Sequence, residues 1–240
     1  MATCPHAAIQ FIAANRKRMP RATRFVLFLF VIVTSILVIV RLSEYESYFA
    51  QPNANTYVVK LFAILIAYVI AILFVGRLKG SFWASVFGLA TMFGFASGLM
   101  EILAIAGEDN ALAFRVPQLL GMLSVFAIWG VAGLWTTLTL KSVKAGVLTS
   151  VVTAAICMLF GVAGGVWLEM FVAPANPAVV LGWQEFKRSD WTDPGAFQIA
   201  NTLDSAFVHL LLAPLVATIF GVVGSGFGRV FWRSRTRPAS

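Results

Sequence analysis

The stretch RFVLFLFVIVTSILVIVRL, residues 24–42, decides the fold. Between Arg24 and Arg41 no residue is charged, and the only hydroxyls are Thr34 and Ser35. A helix of about 20 apolar residues crosses the roughly 30 Å hydrocarbon core of a bilayer. The apolar run is continuous, so it does not read as the short alternating strand of a membrane barrel. Basic residues precede it, as in a signal peptide, but RLSEYESYFAQP follows with no small-x-small cleavage site. It is therefore expected to stay as an anchor.

Five further blocks of this kind follow, at residues 57–76, 81–106, 117–140, 145–172 and 205–228. They leave a basic N-terminal tail (1–23), a long loop at 173–204 and a basic C-terminal tail (229–240); within the loop Asp193-Pro194 reads as an N-cap followed by a first-turn proline, from which AFQIANTLDSAF could run as helix into the sixth span. With 60% hydrophobic and 12% charged residues and a mean hydropathy of +0.87, a 240-residue chain lacks the charge to wet a soluble surface. The expected fold is an all-α integral membrane protein with six transmembrane helices. Cys4 and Cys157 fall in a tail and mid-span, so no disulfide is expected.

Orientation follows from the Lys/Arg bias of short loops. One side collects Arg16, Lys17, Arg18, Arg21, Arg24, Arg77, Lys79, Lys141, Lys144, Arg229, Arg233, Arg235 and Arg237. The other holds Arg41, Lys60, Arg115, Lys187 and Arg188, together with all the acidic residues. The net +8 is thus a strongly basic rim opposed to an acidic one, not a nucleic-acid footprint. Both termini are expected on the cytoplasmic side, in a cell membrane of the bacterial cytoplasmic type. The basic stretch NRKRMPRATR then serves retention against anionic lipid, and no nucleic-acid partner is expected.

Two of the blocks carry nearly the same text. FGFASGLMEIL, residues 93–103, sets Glu101 in an apolar run, and FGVAGGVWLEM, residues 160–170, sets Glu169 in another. The following blocks echo too: Ile128-Trp129-Gly130-Val131-x-Gly133 against Ile219-Phe220-Gly221-Val222-x-Gly224, which places Gln118 on His209. Spans three–four and five–six then read as two parallel copies of one hairpin. The small alphabet of membrane helices produces such likeness by chance as well, and the sequence leaves duplication and chance both open. In either case Gly94 and Gly98 form a GxxxG pair, as do Gly161 and Gly165. Lipid-embedded helices gain little hydrophobic energy by meeting, so packing relies on close approach over small residues. Glu101 and Glu169 lie three and four residues beyond such glycines, which turns them toward the bundle interior.

Glu101, Glu169, Gln118, Asp204 and His209 all fall near the acidic-rim ends of their spans. An ionisable group there needs a partner, and Arg41, Lys60 and Arg115 are available to Glu101 and Glu169. Three roles fit: a layer that fixes helix register, the lining of an outward-facing cavity, or an acid–base or metal site built on His209. The third is the weakest, because there is no histidine cluster and no GxSxG. Phosphate loops, dinucleotide fingerprints and CxxC pairs are absent too, and His6 and His209 sit at opposite faces, which disfavours haem. No catalytic residue, metal or cofactor is therefore assigned. The expected function is binding or passage of a small polar solute or ion at those five residues. Its rival is a non-catalytic membrane subunit or assembly protein, with a second copy or a partner subunit docked on the glycine faces. Trp183 and Trp191 are expected in the headgroup layer.

Overall fold

The computed structural model describes residues 21–78, 80–108 and 118–236. The expected tail up to residue 20, Lys79, Arg115 and residues 237–240 lie outside this description. The described chain is helical: α1 (Arg21–Glu44), a 3-10 turn (Glu46–Ala50), α2 (Ala54–Val75), α3 (Ser81–Glu108), α4 (Gln118–Leu140) and α5 (Val143–Trp167). A π-helical turn (Leu168–Val172), short α6 (Pro177–Val180) and α7 (Gln184–Lys187), and a long α8 (Pro194–Thr236) complete it. Six of these helices, α1–α5 and α8, are long and apolar enough to cross a membrane. Large apolar side chains cover their outer faces, among them Phe25 (68% exposed) and Ile219 (65% exposed), as a lipid-facing surface requires.

The sixth helix begins before its apolar block, at Pro194 rather than at residue 205, as Asp193-Pro194 allows, so residues 194–204 are helix and the connecting segment shrinks to 173–193. The cause is a strong N-terminal stop. Asp193 Oδ1 accepts from the Gly195 and Ala196 amides at 2.9 and 3.1 Å, and Ser47 Oγ donates to Oδ2 at 2.6 Å. Pro194 occupies the first helical position, where its missing N–H costs nothing. Partial burial works against the Asp193 charge, but these three bonds outweigh it and hold the carboxyl below its usual value. The cap is therefore complete at neutral pH and fails only in acid. Trp191, just upstream, is buried beside Tyr48, Tyr57 and Phe197.

At 43 residues α8 is about 64 Å long, twice the apolar thickness of a bilayer. Pro214 stands inside it without ending it. A proline has no N–H, so the carbonyl four residues back, Leu210, loses its helical donor. Tyr68 of α2 makes good the loss: its buried hydroxyl donates to Leu210 O at 2.8 Å. Lipid holds no water to do the same.

Helix α5 is the hub. Of its most apolar stretch 67% is buried, against 22–39% in the other five spans. It packs on α1, α3, α4 and α8, while α2 leans on α8. Glycines set the closest approaches. A methyl at Gly94 would stand 2.7 Å from Ile156, and one at Gly98 would stand 2.7 Å from Phe160 and 3.1 Å from the Cys157 carbonyl. Gly161 faces Glu101 and Gly165 faces Ile105, so the numbers rise together and α3 and α5 run parallel. Helices α4 and α8 also meet over glycine, with Gly224 of α8 against the Gly130 carbonyl and Gly228 against Leu134 and Thr137 of α4. Hydroxyls cross the same seams: Ser150 Oγ donates to Trp129 O at 2.7 Å, and Ser225 Oγ to Gly133 O at 3.4 Å.

Two substitutions test these contacts. Gly224→Ala drives a methyl into the Gly130 backbone and should destabilise the protein by about 1–3 kcal/mol. Gly226→Ala, two residues on and facing open space, should be neutral or slightly stabilising in the same detergent melt. Tyr68→Phe should cost about 1 kcal/mol by orphaning Leu210 O. In a Pro214→Ala background, where the helix supplies its own donor, that cost should shrink, which a double-mutant cycle measures.

Candidate functional site

At the end of the bundle that carries the 173–193 segment, an open cavity of about 370 Å³ lies among α3, α4, α5 and α8. Glu101 of α3 and Glu169 at the foot of α5 line it, with His209 of α8. Trp183 of the connecting segment closes one side, and Met122 and Met158 form apolar wall. Part of the room comes from missing side chains. A methyl on Gly161 would come within 3.0 Å of Glu101 Cγ, so the glycine pair of α5 leaves the space that Glu101 looks into.

Helix α8 supplies the polar face. Gln198, Thr202, Ser205 and His209 recur at intervals of four, three and four, with Asn201 beside them, and all line the cavity. At 3.6 residues per turn such spacing is one stripe of a helix. Sequence reasoning misses four of these five, three of them because they precede the apolar block that marks the span. The polar periodicity of QIANTLDSAFVH is the signal that could have found them.

The three expected acidic residues meet different fates. Glu169 sits on the π-helical turn, whose defining bond runs from Ala173 N to Leu168 O at 2.8 Å. Such turns carry one extra residue and often mark functional positions. Two residues of the α8 stripe fix it: Thr202 Oγ1 donates to Glu169 Oε2 at 2.7 Å, and Gln198 Nε2 to its backbone carbonyl at 3.2 Å. Asp204 lies off the stripe and outside the cavity, and pairs with Lys60 of α2 at 3.0 Å. Arg41 pairs with Glu44 at 3.4 Å and stacks near Tyr45 and Phe171. Two of the three cations expected to serve Glu101 and Glu169 are thus engaged by other carboxylates: Lys60 because α2 packs beside α8, and Arg41 by Glu44 one turn on in its own helix. Glu101 is half-buried and, among the described residues, receives no hydrogen bond or ion pair. Gln118 begins α4, but its side chain lies outside the described set, as does Arg115.

His209 is exposed to the opening. Its Nδ1 lies 2.8 Å from the Ser205 carbonyl, one turn back. A carbonyl only accepts, so Nδ1 carries the hydrogen and Nε2 is the nitrogen able to accept or, when protonated, donate. Among the described residues no group of three His, Cys, Asp or Glu side chains could hold a metal ion. The arrangement therefore offers one carboxylate with no bonded partner, one carboxylate fixed by a hydroxyl, and an imidazole with an available nitrogen. These surround a space of small-molecule size.

Comparison of the chain with protein-family models, with curated proteins and with solved structures finds no match in any of the three.

Proposed function

We propose that the protein binds a small cationic or N–H-bearing polar solute in this cavity, from the side of the membrane opposite the cytoplasm. The asymmetry of Lys and Arg supports the orientation, with both termini cytoplasmic in a membrane of the bacterial cytoplasmic type. The observation that carries the binding reading is Glu101. An ionised carboxylate near the apolar zone is costly unless a donor or a positive charge offsets it; among the described residues none is hydrogen-bonded or ion-paired to Glu101, and His209 acts on it only through space. A bound ammonium-type group would supply both, with His209 Nε2 as a second acceptor. Tight packing of Gly133, Ser150, Gly221 and Ser225 further along the bundle supports binding rather than open passage.

A structural reading is favoured at one position only. Glu169, held by Thr202 and Gln198, ties α5 to α8 at the rim.

Glu101 and Glu169 should therefore behave differently in thermal melts of the purified protein against ammonium, propylamine and choline. A ligand at a hundredfold excess over its Kd stabilises by about 2.7 kcal/mol. Glu101→Gln should fold as well as wild type and lose that response. Thr202→Val should lower stability by about 1 kcal/mol whatever solute is present. Retention of the full solute response by Glu101→Gln would overturn the binding reading.

A further inference from the structure

The polar cavity continues on its α4 side. A second cavity of about 190 Å³ opens from it, and Glu101, Met122, Met158 and His209 line both. Beyond that shared wall its character changes. Val125, Phe126 and Trp129 of α4 face Leu212, Ala213 and Val216 of α8, with no further polar side chain but the Trp129 indole. The groove is not sealed from its surroundings. Its rim residues Met122, Val208 and Leu212 are 43%, 38% and 47% exposed, on a face of the bundle whose other exposed side chains, such as Leu119 and Leu215, are apolar. The molecule thus holds an apolar slot open to the lipid side that leads to a carboxylate.

One class of ligand matches both ends. A water-soluble cation would answer Glu101 and leave the slot to be filled by something else. A neutral acyl chain would fill the slot and leave Glu101 without a donor. We infer that the ligand is a single-chain amphiphilic amine that enters sideways from the bilayer, its ammonium head at Glu101 and its tail between α4 and α8. This inference rests on the polar cavity being a ligand site and adds the ligand's class and its route. Leaving lipid for the slot yields little hydrophobic energy, since acyl chains are as apolar as leucine. The tail acts instead by van der Waals packing and by tethering the head beside its site, which raises the head's effective concentration.

Dodecylamine, propylamine and dodecanol, each titrated into the protein in phosphatidylcholine nanodiscs, separate the possibilities by the shift in unfolding midpoint. Dodecylamine should raise the midpoint at a concentration at least about tenfold below that needed for propylamine, and dodecanol should not raise it. Dodecylamine also partitions into the bilayer, so the slot is tested by filling it. Leu212→Trp, on the exposed rim, and Val216→Trp, deeper in, should each abolish the dodecylamine advantage and leave the propylamine response intact. Partitioning is the same for every variant. If both filled variants respond to dodecylamine like wild type, or dodecanol works as well as the amine, the amphiphile inference is overturned while the polar cavity stands. If neither amine shifts the midpoint of wild type, the cavity reading falls with it.

Discussion

Everything in this bundle depends on how closely α5 can be approached. In lipid, helices are not driven together by leaving water, so contact must come from packing and from hydrogen bonds that reach across. Four helices meet α5, and two thirds of its apolar stretch is buried. A helix of leucines could not be surrounded at such distances. Glycine, alanine, serine and threonine take those positions: Gly146, Thr149, Ser150, Thr153, Ala154 and Gly161 are all buried. The Thr149 and Ser150 hydroxyls reach carbonyls of the same or a neighbouring helix, so small size and polar satisfaction come from the same residues.

The same economy of side chains makes the cavity. Where α5 ends, Gly161 and Gly165 continue the small face, but the π-helical turn and the rim-ward part of α8 replace close neighbours with polar ones. Space that packing fills elsewhere is left open here, and a polar stripe lines it. The charges sort by neighbourhood. Asp204 faces α2 and finds Lys60, Glu169 faces α8 and finds Thr202, and Glu101 faces the space itself. A difference of about 100° around one helix, from Asp204 to Ser205, separates a tie between helices from the wall of a cavity.

Much of this is legible in the residues alone. Block length marks the six spans, since an uncharged run such as 25–40 is too long for any single layer of a soluble core of this size. The GxxxG pairs are where α3 meets α5, because glycine spacing is a local property of one helix. Common depth marks Glu101, Glu169 and His209 as candidates for one site, and glycine spacing turns the two glutamates inward, but their convergence on one cavity is seen only in the fold. What escapes a sequence reading depends on which helix stands beside which. Lys60 and Arg41 sit at the right height for Glu101, yet height says nothing of azimuth: α2 leans on α8, which gives Lys60 to Asp204, and Arg41 turns to Glu44 of its own helix. The early start of α8 is signalled by Asp193-Pro194, a cap and a first-turn proline, although its first turns are too polar to look like a span. Residue type alone says nothing of the burial of Trp191, which comes from a pocket built by Tyr48, Tyr57 and Phe197, the first two distant in sequence.

The bond from Tyr68 to Leu210 has a bearing on how the chain is assembled. Donor and acceptor lie 142 positions apart, and the donor belongs to the second span while the acceptor belongs to the sixth. A ribosome delivers them in that order. When α8 emerges with a gap in its ladder at Pro214, the tyrosine that closes the gap has already been made. The backbone of α8 is thus completed by tertiary contact, so its local hydrogen bonding and its docking against α2 are coupled.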